Sequence, residues 1–385
     1  MRRGGGPLSA LRVLITNDAL DRRAGTEVYV RDLALGLLER GHKPISFSTV
    51  LGDVARELQA ATVPVIDDLN SLAARPDIIH GHHHVETMMA LLHFPQTPAV
   101  HFCHGWASWL DEPPHFPRIL RYVAVDHTCR DRLVLRSGIP EERVRVLLNF
   151  VDLTRFKPRG PLPPRPRRAL LFSNYASGET HLNVVREACA RAGLEFDMVG
   201  SGAGRPCAEP EKILGDYDIV FAKARAALEA MAVGAAVVLC DSTGMGPMVT
   251  AAEFERLRAL NFGVRALRHP LDAERLAREI ERYDPNDAAE VSRRIRAEAG
   301  RDDALDELIE LYEEVIAEYG ASGRAVHDSS GEEGRAASAY LGRLKSEIVA
   351  HGAATVRLRE RVRRIPLVGR LGVRLARMLA GPPAR

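Results

Sequence analysis

The chain has 385 residues, of which 46% are hydrophobic and 27% are charged, and its formal net charge is +2. This length exceeds that of one ordinary domain and the composition is that of a packed globular protein, so we expect about two domains. Aromatic residues make up only 5% of the chain, which argues against the base stacking used by proteins that bind single-stranded nucleic acid. The sequence contains no apolar run of about 18 residues to cross a membrane. Residues 1–9, which we expect to be disordered, lack the apolar core of a signal peptide, so a cytoplasmic location is expected.

The five cysteines are widely spaced and include no C-x-x-C pair. An odd number of cysteines in a cytoplasmic protein argues against a disulfide framework and against a structural zinc site. We therefore expect reduced, mostly buried thiols and no metal or cofactor held by these residues, which are Cys103, Cys129, Cys189, Cys207 and Cys240.

The first half of the chain alternates short apolar runs with amphipathic helical segments. Leu11–Thr16 has the apolar, β-branched composition of a buried parallel strand, and a polar loop follows it. Gly25 then opens a helical run that stops at Gly41. Further strands are predicted at residues 44–50, 63–66, 78–79, 99–103 and 122–125. Strands that alternate with helices indicate a parallel sheet covered on both faces.

A second half begins after Lys157–Arg168, where the density of proline and arginine predicts an interdomain linker. Strands are then predicted at 169–172, 195–199, 218–221 and 236–240, and helices at 181–192 and 226–233. Two further helices, at 271–283 and 303–319, are predicted to close this half. The sequence therefore predicts an α/β protein with two Rossmann-like domains, residues 10–160 and 161–320.

The C-terminal part differs in composition from both halves. Residues 321–335 are small, polar and charged and predict a flexible linker, and residues 336–385 predict a basic helical tail. Within it, residues 357–385 hold nine arginines and a single acid. Arginines interleaved with leucine and valine are typical of a helix on an anionic membrane surface; a solvated or core-packed extension is the alternative. Because the basic charge is confined to the tail, we expect no nucleic acid partner.

The most informative segment is Ala226–Gly234, AALEAMAVG, which follows a predicted strand. Small residues let such a helix pack close to a sheet, and Gly234 ends it. Glu229 is unusual in so apolar a run, because a buried carboxylate needs a polar partner. The segment resembles the E-A-M-A-x-G donor-site motif of GT-B glycosyltransferases of family 4. That resemblance implies that Glu229 binds the ribose hydroxyls of a nucleotide-sugar donor.

Motifs in the first half resemble the same family and occur in the same order over roughly residues 10–320. Ala24–Leu33 resembles the family's G-G-x-E loop and first helix, and a glycine loop before a helix offers free N–H groups to a phosphate. The resemblance implies that Gly25 and Thr26 bind the donor and that Glu27 lies in the acceptor cleft. Other segments that match are Gly41-His42, Asp77–His82 and Asn149–Pro158.

Histidines cluster at two predicted strand ends. The run from His80 to His84 allows a metal site, but no cysteine or carboxylate other than Glu86, two residues after the run, stands at helical i, i+4 spacing beside it, and we expect no bound metal. The resemblance instead implies that His80 and His82 line the acceptor cleft. It also implies that His104, in an H-G pair, contacts the sugar near the reacting centre, which makes it the predicted catalytic residue. A histidine that merely ends a strand is the alternative.

The sequence departs from the family pattern at the donor site. A second glutamate normally stands eight residues before the first, where this chain has Phe221, and the family's two cations after the first C-terminal strand are replaced by Ser173–Gly178. A diphosphate requires cationic partners. We hypothesise that Lys223 and Arg225, at the end of a strand, supply them, with two solvated surface cations as the alternative. Short glycine turns that resemble donor-contacting turns of the family contain Gly200, Gly202 and Gly244.

The resemblance implies transfer of a sugar from a nucleoside-diphosphate sugar to a glycan, a lipid-linked acceptor or a small molecule, with retention of configuration. We expect no metal or cofactor, because helix-end N–H groups with Lys223 and Arg225 could stabilise the departing diphosphate. The missing glutamate leaves two alternatives open. One is a non-catalytic protein that binds nucleotide sugars, and the other is a GT-B epimerase or phosphorylase. The base and sugar of the donor do not follow from the residues.

Overall fold

The structure is a computed structural model that describes residues 10–322 and 330–363. These residues form two compact units. The larger includes residues 10–113 and 118–322, and the smaller includes residues 114–117 and 330–363. The predicted disorder of residues 1–9, and most of the predicted membrane-binding segment 357–385, lie outside the described residues.

The N-terminal lobe of the larger unit is a seven-stranded parallel sheet with helices packed against it. Its elements are β1 (Arg12–Thr16), α1 (Gly25–Glu39), β2 (Lys43–Phe47), α2 (Asp53–Ala60), β3 (Val65–Ile66), β4 (Ile78–His82), α3 (His84–His93), β5 (Ala99–Cys103), β6 (Ile119–Ala124), α4 (His127–Asp131) and β7 (Val144–Val146). The strand order is β3-β2-β1-β4-β5-β6-β7. The central strands β1, β4 and β5 are almost entirely buried, as expected for parallel strands covered on both faces, and the edge strands β3 and β7 are partly exposed.

The C-terminal lobe is a five-stranded sheet in the order β12-β11-β10-β8-β9, in which β12 alone is antiparallel to its neighbour. Its elements are β8 (Arg168–Phe172), α5 (Leu182–Arg191), β9 (Glu195–Val199), β10 (Ile219–Ala222), α6 (Ala224–Val233), β11 (Ala236–Asp241), β12 (Gly244–Met248), α7 (Phe254–Ala259), α8 (Ala273–Glu281) and α9 (Pro285–Glu298). Alternate residues of β10 enter different apolar clusters: Val220 and Ala222 belong to one, Ile219 and Phe221 to the other. Both faces of this sheet are therefore covered. The predicted α/β fold with two Rossmann-like lobes is confirmed.

The glycines after β11 lie in a strand instead of an open turn. β12 begins at Gly244, and a Cβ atom there would lie 2.7 Å from the carbonyl oxygen of His269. A Cβ on Gly246 would lie 2.6 Å from the carbonyl oxygen of Ala266. These glycines therefore allow the backbone of residues 266–269 to approach the sheet closely.

The chain crosses between the lobes twice, and the two crossings are hydrogen-bonded to each other. The Val151 amide donates to the Ala299 carbonyl at 2.8 Å, and the Arg301 amide donates to the Val151 carbonyl at 3.0 Å. Val151 and Phe156 belong to the core of the C-terminal lobe, so that core begins before the predicted linker.

After the second crossing, α10 (Arg301–Ala321) returns to the N-terminal lobe. Its Leu305 packs on Gly36 of α1, where a Cβ atom would lie 2.2 Å from the leucine Cδ1. Its Tyr312 hydroxyl contacts Nδ1 of His80. The prediction that this helix closes the second half is therefore wrong, because its apolar face is buried against the first sheet.

The smaller unit contains α11 (Ser330–Arg363), a helix of 34 residues that begins inside the predicted linker 321–335. Within the described ranges, no helix is both long and apolar enough to span a membrane.

Candidate functional site

A cavity of about 790 Å³ lies between the two lobes of the larger unit. On the N-terminal side it is lined by the loop that precedes α1, by α1 itself and by α2. On the C-terminal side it is lined by residues at the carboxyl ends of β8 and β9 and at the start of α6. Ligands of open α/β sheets bind at this end of the strands. The predicted residues that line the cavity are Gly25, Gly200, Lys223, Arg225 and Glu229.

Two helices begin at the cavity wall. α1 starts at Gly25 and α6 at Ala224, and both residues line the cavity. The first N–H groups of a helix have no partner within the helix and carry the positive end of its dipole. Ala224 has a left-handed φ of +50°, unusual for a residue with a Cβ atom, and its amide donates to the Phe262 carbonyl at 2.9 Å. The Ala224 amide is thus already engaged, and it is the next N–H groups of α6, together with the first ones of α1, that can be offered to an anion in the cavity.

Basic side chains outnumber acidic ones in the cavity wall. Seven basic residues line it, namely Arg22, Arg23, Arg31, Arg56, Arg155, Lys223 and Arg225. The acidic residues that line it are Asp53, Glu57 and Glu229. Carboxylates behind the wall, among them Asp32, Glu211 and Asp241, pair with several of these cations. The two helix starts and the unused N–H groups of the clustered arginines are therefore what favours an anionic ligand.

Lys223 and Arg225 reach the cavity, but each is engaged by a carboxylate. The ammonium group of Lys223 pairs with Asp241. Arg225 pairs with Asp32 of α1 through one terminal nitrogen and donates from Nε to Glu229 at 2.9 Å. The Arg225 side chain is 14% exposed, so the alternative of two solvated surface cations is wrong for Arg225.

Glu229 is the buried carboxylate of the cavity wall. The residue is 6% exposed and lines the cavity one helical turn after Arg225. Burial raises its pKa, and the attraction of Arg225 offsets this only in part. A buried acceptor held by one arginine can still receive hydrogen bonds from ligand hydroxyl groups.

The side of the cavity formed by the C-terminal lobe mixes apolar and polar residues. Phe172, Val199 and Pro206 line it together with Ser173, Asn174 and Ser201, and Tyr175, 67% exposed, also belongs to the lining. Gly200 directly follows β9 with φ +152°, and a Cβ atom there would lie 1.9 Å from the Ser173 carbonyl oxygen. This close approach of two loops therefore requires glycine.

The other predicted donor residues lie outside the cavity wall. A Cβ atom on Gly202 would lie 2.7 Å from the carbonyl oxygen of Asn174, so this glycine serves the same loop contact. Gly244 lies in β12, away from the cavity lining. The hydroxyl of Thr26 donates to the Glu27 carboxylate at 3.0 Å in the first turn of α1, and Glu27 is buried. These two side chains therefore contact each other.

The expectation that His80 lines the cleft is wrong. His80 is fully buried in the N-terminal lobe, stacks on Phe102 with ring centroids 4.1 Å apart, and contacts Tyr312. His82 is also fully buried, and its Nδ1 lies 2.7 Å from Nε2 of His104. Burial lowers the pKa of both residues well below the usual histidine value. Among residues 10–322 and 330–363, no group of three or more His, Cys, Asp or Glu side chains is arranged to hold a metal ion.

His104 follows β5 and is half-buried. Its amide donates to Asp111 at 3.1 Å, and its ring lies 4.9 Å from that of Tyr29, measured between centroids. Burial, with smaller contributions from His83 and Arg225, lowers the pKa of His104 to about 3. The imidazole is therefore neutral near pH 7.

Sequence reasoning missed a group of charged residues around Arg225. Asp32 is 1% exposed on α1 and lies 2.6 Å from Arg31 and 3.6 Å from Arg155, in addition to its contact with Arg225. A signal was present, because Asp32 interrupts an apolar helix next to the buried Leu33.

Comparison of the sequence with known families matches residues 23–155 to Glycosyltransferase Family 4. This match covers the N-terminal lobe and confirms the predicted resemblance there. Comparison with curated proteins gives no match.

Solved structures of the same architecture cover both lobes. The chain superposes on a glycosyltransferase from Rickettsia africae with a TM-score of 0.58 and 17% identity, covering 80% of this chain and 99% of that one. It also superposes on the Anabaena protein Alr3699/HepE in complex with UDP and glucose, with a TM-score of 0.57 and 15% identity, covering 79% of this chain and 100% of that one. The chain has the GT-B fold. In this GT-B protein the cavity occupies the space between the two Rossmann-like lobes, with Glu229 in its wall.

Proposed function

We propose that the protein transfers a glycosyl group from a nucleoside-diphosphate sugar to an acceptor hydroxyl. The observation that carries this proposal is the convergence, in one interlobe cavity, of two helix starts, a cluster of arginines and the buried carboxylate of Glu229. The Anabaena protein of the same fold has been solved with UDP-glucose, which supports a ligand of this class.

The lining residues suggest a place for three parts of the donor: the diphosphate, the ribose and the base. The diphosphate would lie at the starts of α1 and α6, where N–H groups and arginines are available. Glu229 would accept hydrogen bonds from the ribose hydroxyls. Phe172, Val199 and Pro206, apolar residues of the cavity lining, would pack against the base.

The reaction moves the anomeric carbon from one oxygen to another. The bond between this carbon and the diphosphate oxygen breaks, the acceptor oxygen forms the new bond, and the departing diphosphate takes up the acceptor proton. Negative charge develops on the diphosphate, and preorganised N–H groups and arginines stabilise it. We propose that these groups suffice without a metal and that configuration is retained, as the family resemblance implies.

His104 would contribute as a neutral group. With a pKa near 3 it holds no extra proton to donate near neutral pH. A neutral imidazole can still exchange a hydrogen bond with a sugar hydroxyl. We therefore propose that His104 positions the transferred sugar and that the acceptor enters from the N-terminal lobe.

The test is release of nucleoside diphosphate from a panel of nucleotide sugars, with binding followed by calorimetry. We expect the wild-type protein to bind at least one donor and to release its nucleoside diphosphate slowly to water. Glu229→Gln should weaken binding of that donor at least about tenfold, because a charge-assisted hydrogen bond contributes about 1.5–3 kcal/mol. Glu187→Gln, on the exposed face of α5, is the matched control. Absence of binding to every nucleotide and nucleotide sugar would refute the proposal.

A non-catalytic nucleotide-sugar-binding protein is the second candidate. It is favoured by Phe221 at the place of the second glutamate and by the carboxylates that already engage Lys223 and Arg225. Such a protein would bind a nucleotide sugar and release no nucleoside diphosphate with any acceptor. Conversion of the bound sugar without release would instead indicate an epimerase.

A further inference from the structure

Asp32 is a buried carboxylate of the N-terminal lobe that contacts cations of both lobes. Its side chain is 2% exposed. Arg31 belongs to α1, whereas Arg225 begins α6 and Arg155 lies between Val151 and Phe156, two residues of the C-terminal core. A buried carboxylate is tolerated only when it is paired. Asp32 is therefore paired chiefly across the interface between the lobes.

Arg225 is held from two sides. One terminal nitrogen contacts Asp32, and Nε donates to Glu229 at 2.9 Å. The other terminal nitrogen, Nη1, has no hydrogen-bond partner among the described residues, and Arg225 lines the cavity. Because a guanidinium group is planar and rigid, two fixed contacts determine where its remaining N–H groups point.

The orientation of Arg225 matters because this chain lacks the two cationic residues that the resembled family has after the strand corresponding to β8. Ser173–Gly178 stand in their place, and Lys223 is paired with Asp241. Arg225 is then the buried cation nearest the start of α6, and its orientation determines whether its free N–H groups point at a diphosphate bound there.

We propose that Asp32 is a positioning residue of the donor site, which orients Arg225 toward the diphosphate and does so only when the two lobes meet. The inference rests on the proposed function. In an open arrangement Arg225 retains Glu229 alone and loses the second contact that fixes its plane. Donor affinity is thereby coupled to contact between the lobes.

Loss of the Asp32 charge should displace Arg225 without unfolding the protein. Each of the three arginines around Asp32 has a second carboxylate: Glu57 for Arg31, Glu211 for Arg155 and Glu229 for Arg225. Without the shared anion the guanidinium groups repel one another and turn toward these second partners. If Asp32 instead competed with the diphosphate for Arg225, loss of the Asp32 charge would strengthen donor binding.

The experiment is calorimetric titration of UDP, ADP and GDP into the full chain and its variants. Asp32→Asn should lower the affinity for the nucleoside diphosphate that binds best by about tenfold. The control Arg265→Gln breaks an exposed interlobe pair with Asp131, 2.6 Å long and away from the cavity, and should change affinity less than twofold. In an Arg225→Gln background, Asp32→Asn should add less than a twofold effect, because Asp32 acts through Arg225.

Kinetics separate positioning from a general structural role. In the donor-hydrolysis assay, Asp32→Asn should raise the donor KM about tenfold, and kcat should also fall, because a misplaced Arg225 no longer stabilises the charge that develops on the leaving diphosphate. Simple loss of folded protein would lower kcat at unchanged KM. Unchanged or tighter binding by Asp32→Asn would overturn the inference and leave the proposed function standing, whereas a wild-type chain that binds no nucleoside diphosphate would overturn both. If Asp32→Asn does not fold, Arg225→Lys is measured in its place, because an ammonium group cannot bind Asp32 and Glu229 in the planar geometry of a guanidinium group. Wild-type affinity in that variant would overturn the inference.

Discussion

Glu86 is a buried acid of α3 whose environment differs from that of Glu229. It is 5% exposed, and its Oε2 has no hydrogen-bond partner among the described residues. Burial raises the pKa of Glu86 to about 7, and the carboxylate of Asp18 adds to the shift. The folded protein therefore holds a proton on Glu86 at pH values where the unfolded chain has lost it.

This shift makes folding less favourable as the pH rises. The folded pKa of Glu86 lies above the value of 4.5 expected without the fold, so stability falls from about pH 5 to pH 8, by about 3 kcal/mol in all. Glu86→Gln, which stays neutral, should raise the free energy of unfolding more near pH 8 than near pH 5.5, by about 2 kcal/mol. Urea unfolding at the two pH values measures this. An equal effect of the change at both values would contradict the assignment, and exposed Glu187→Gln is the control.

Sequence patterns at the residue scale indicated some site residues and missed others. Glu229 was identifiable because it is a carboxylate in an apolar helix that resembles a known motif, and the structure places it in the cavity wall. His80 also lies in a segment that resembles a family motif, yet it lies in the core because α10 covers it. Asp32 was missed because its partner Arg225 is 193 residues away in the chain.

At the scale of elements, the loop after β9 requires glycine at position 200, whereas position 204 should tolerate another residue. Gly200 combines φ +152° with a carbonyl oxygen 1.9 Å from the Cβ position. Gly204, in the same loop, has φ +69° and no atom within 4 Å of its Cβ position. Asparagine adopts such a left-handed conformation far more readily than other residues.

Gly200→Ala should therefore destabilise the protein by more than about 2 kcal/mol, because the added Cβ forces the loop away from Ser173. Gly204→Asn should cost less than about 1 kcal/mol. Chemical denaturation of the two variants provides the comparison. Similar losses for both would show that the close contact of the two loops does not limit the fold.

Elements were predictable where local pattern determines them. Buried parallel strands give continuous apolar runs such as those of β1 and β11, and each was placed within a few residues. The destination of α10 was not predictable, because an amphipathic helix does not encode which sheet it covers. Gly36 leaves room on α1 for the Leu305 side chain, and this contact places α10 on the N-terminal lobe.

At the scale of the whole larger unit, polar contacts join the lobes around the cavity. Arg23, before α1, donates to the Ala208 carbonyl at 2.6 Å, and Asn174, after β8, donates to the Arg23 carbonyl at 3.2 Å. With the Asp32–Arg225 pair, these contacts place side chains of both lobes in one wall. A ligand in the cavity would therefore contact both lobes, which is how a GT-B cleft can bring donor and acceptor together.

The central claim is that the interlobe cavity binds a nucleoside-diphosphate sugar with its ribose on Glu229. A crystal structure of the protein with the nucleoside diphosphate that binds best tests it most directly. We predict ribose hydroxyls within hydrogen-bond distance of the Glu229 carboxylate and the diphosphate at the starts of α1 and α6. A nucleotide bound outside this cavity, or bound within it without contact to Glu229, would contradict the account.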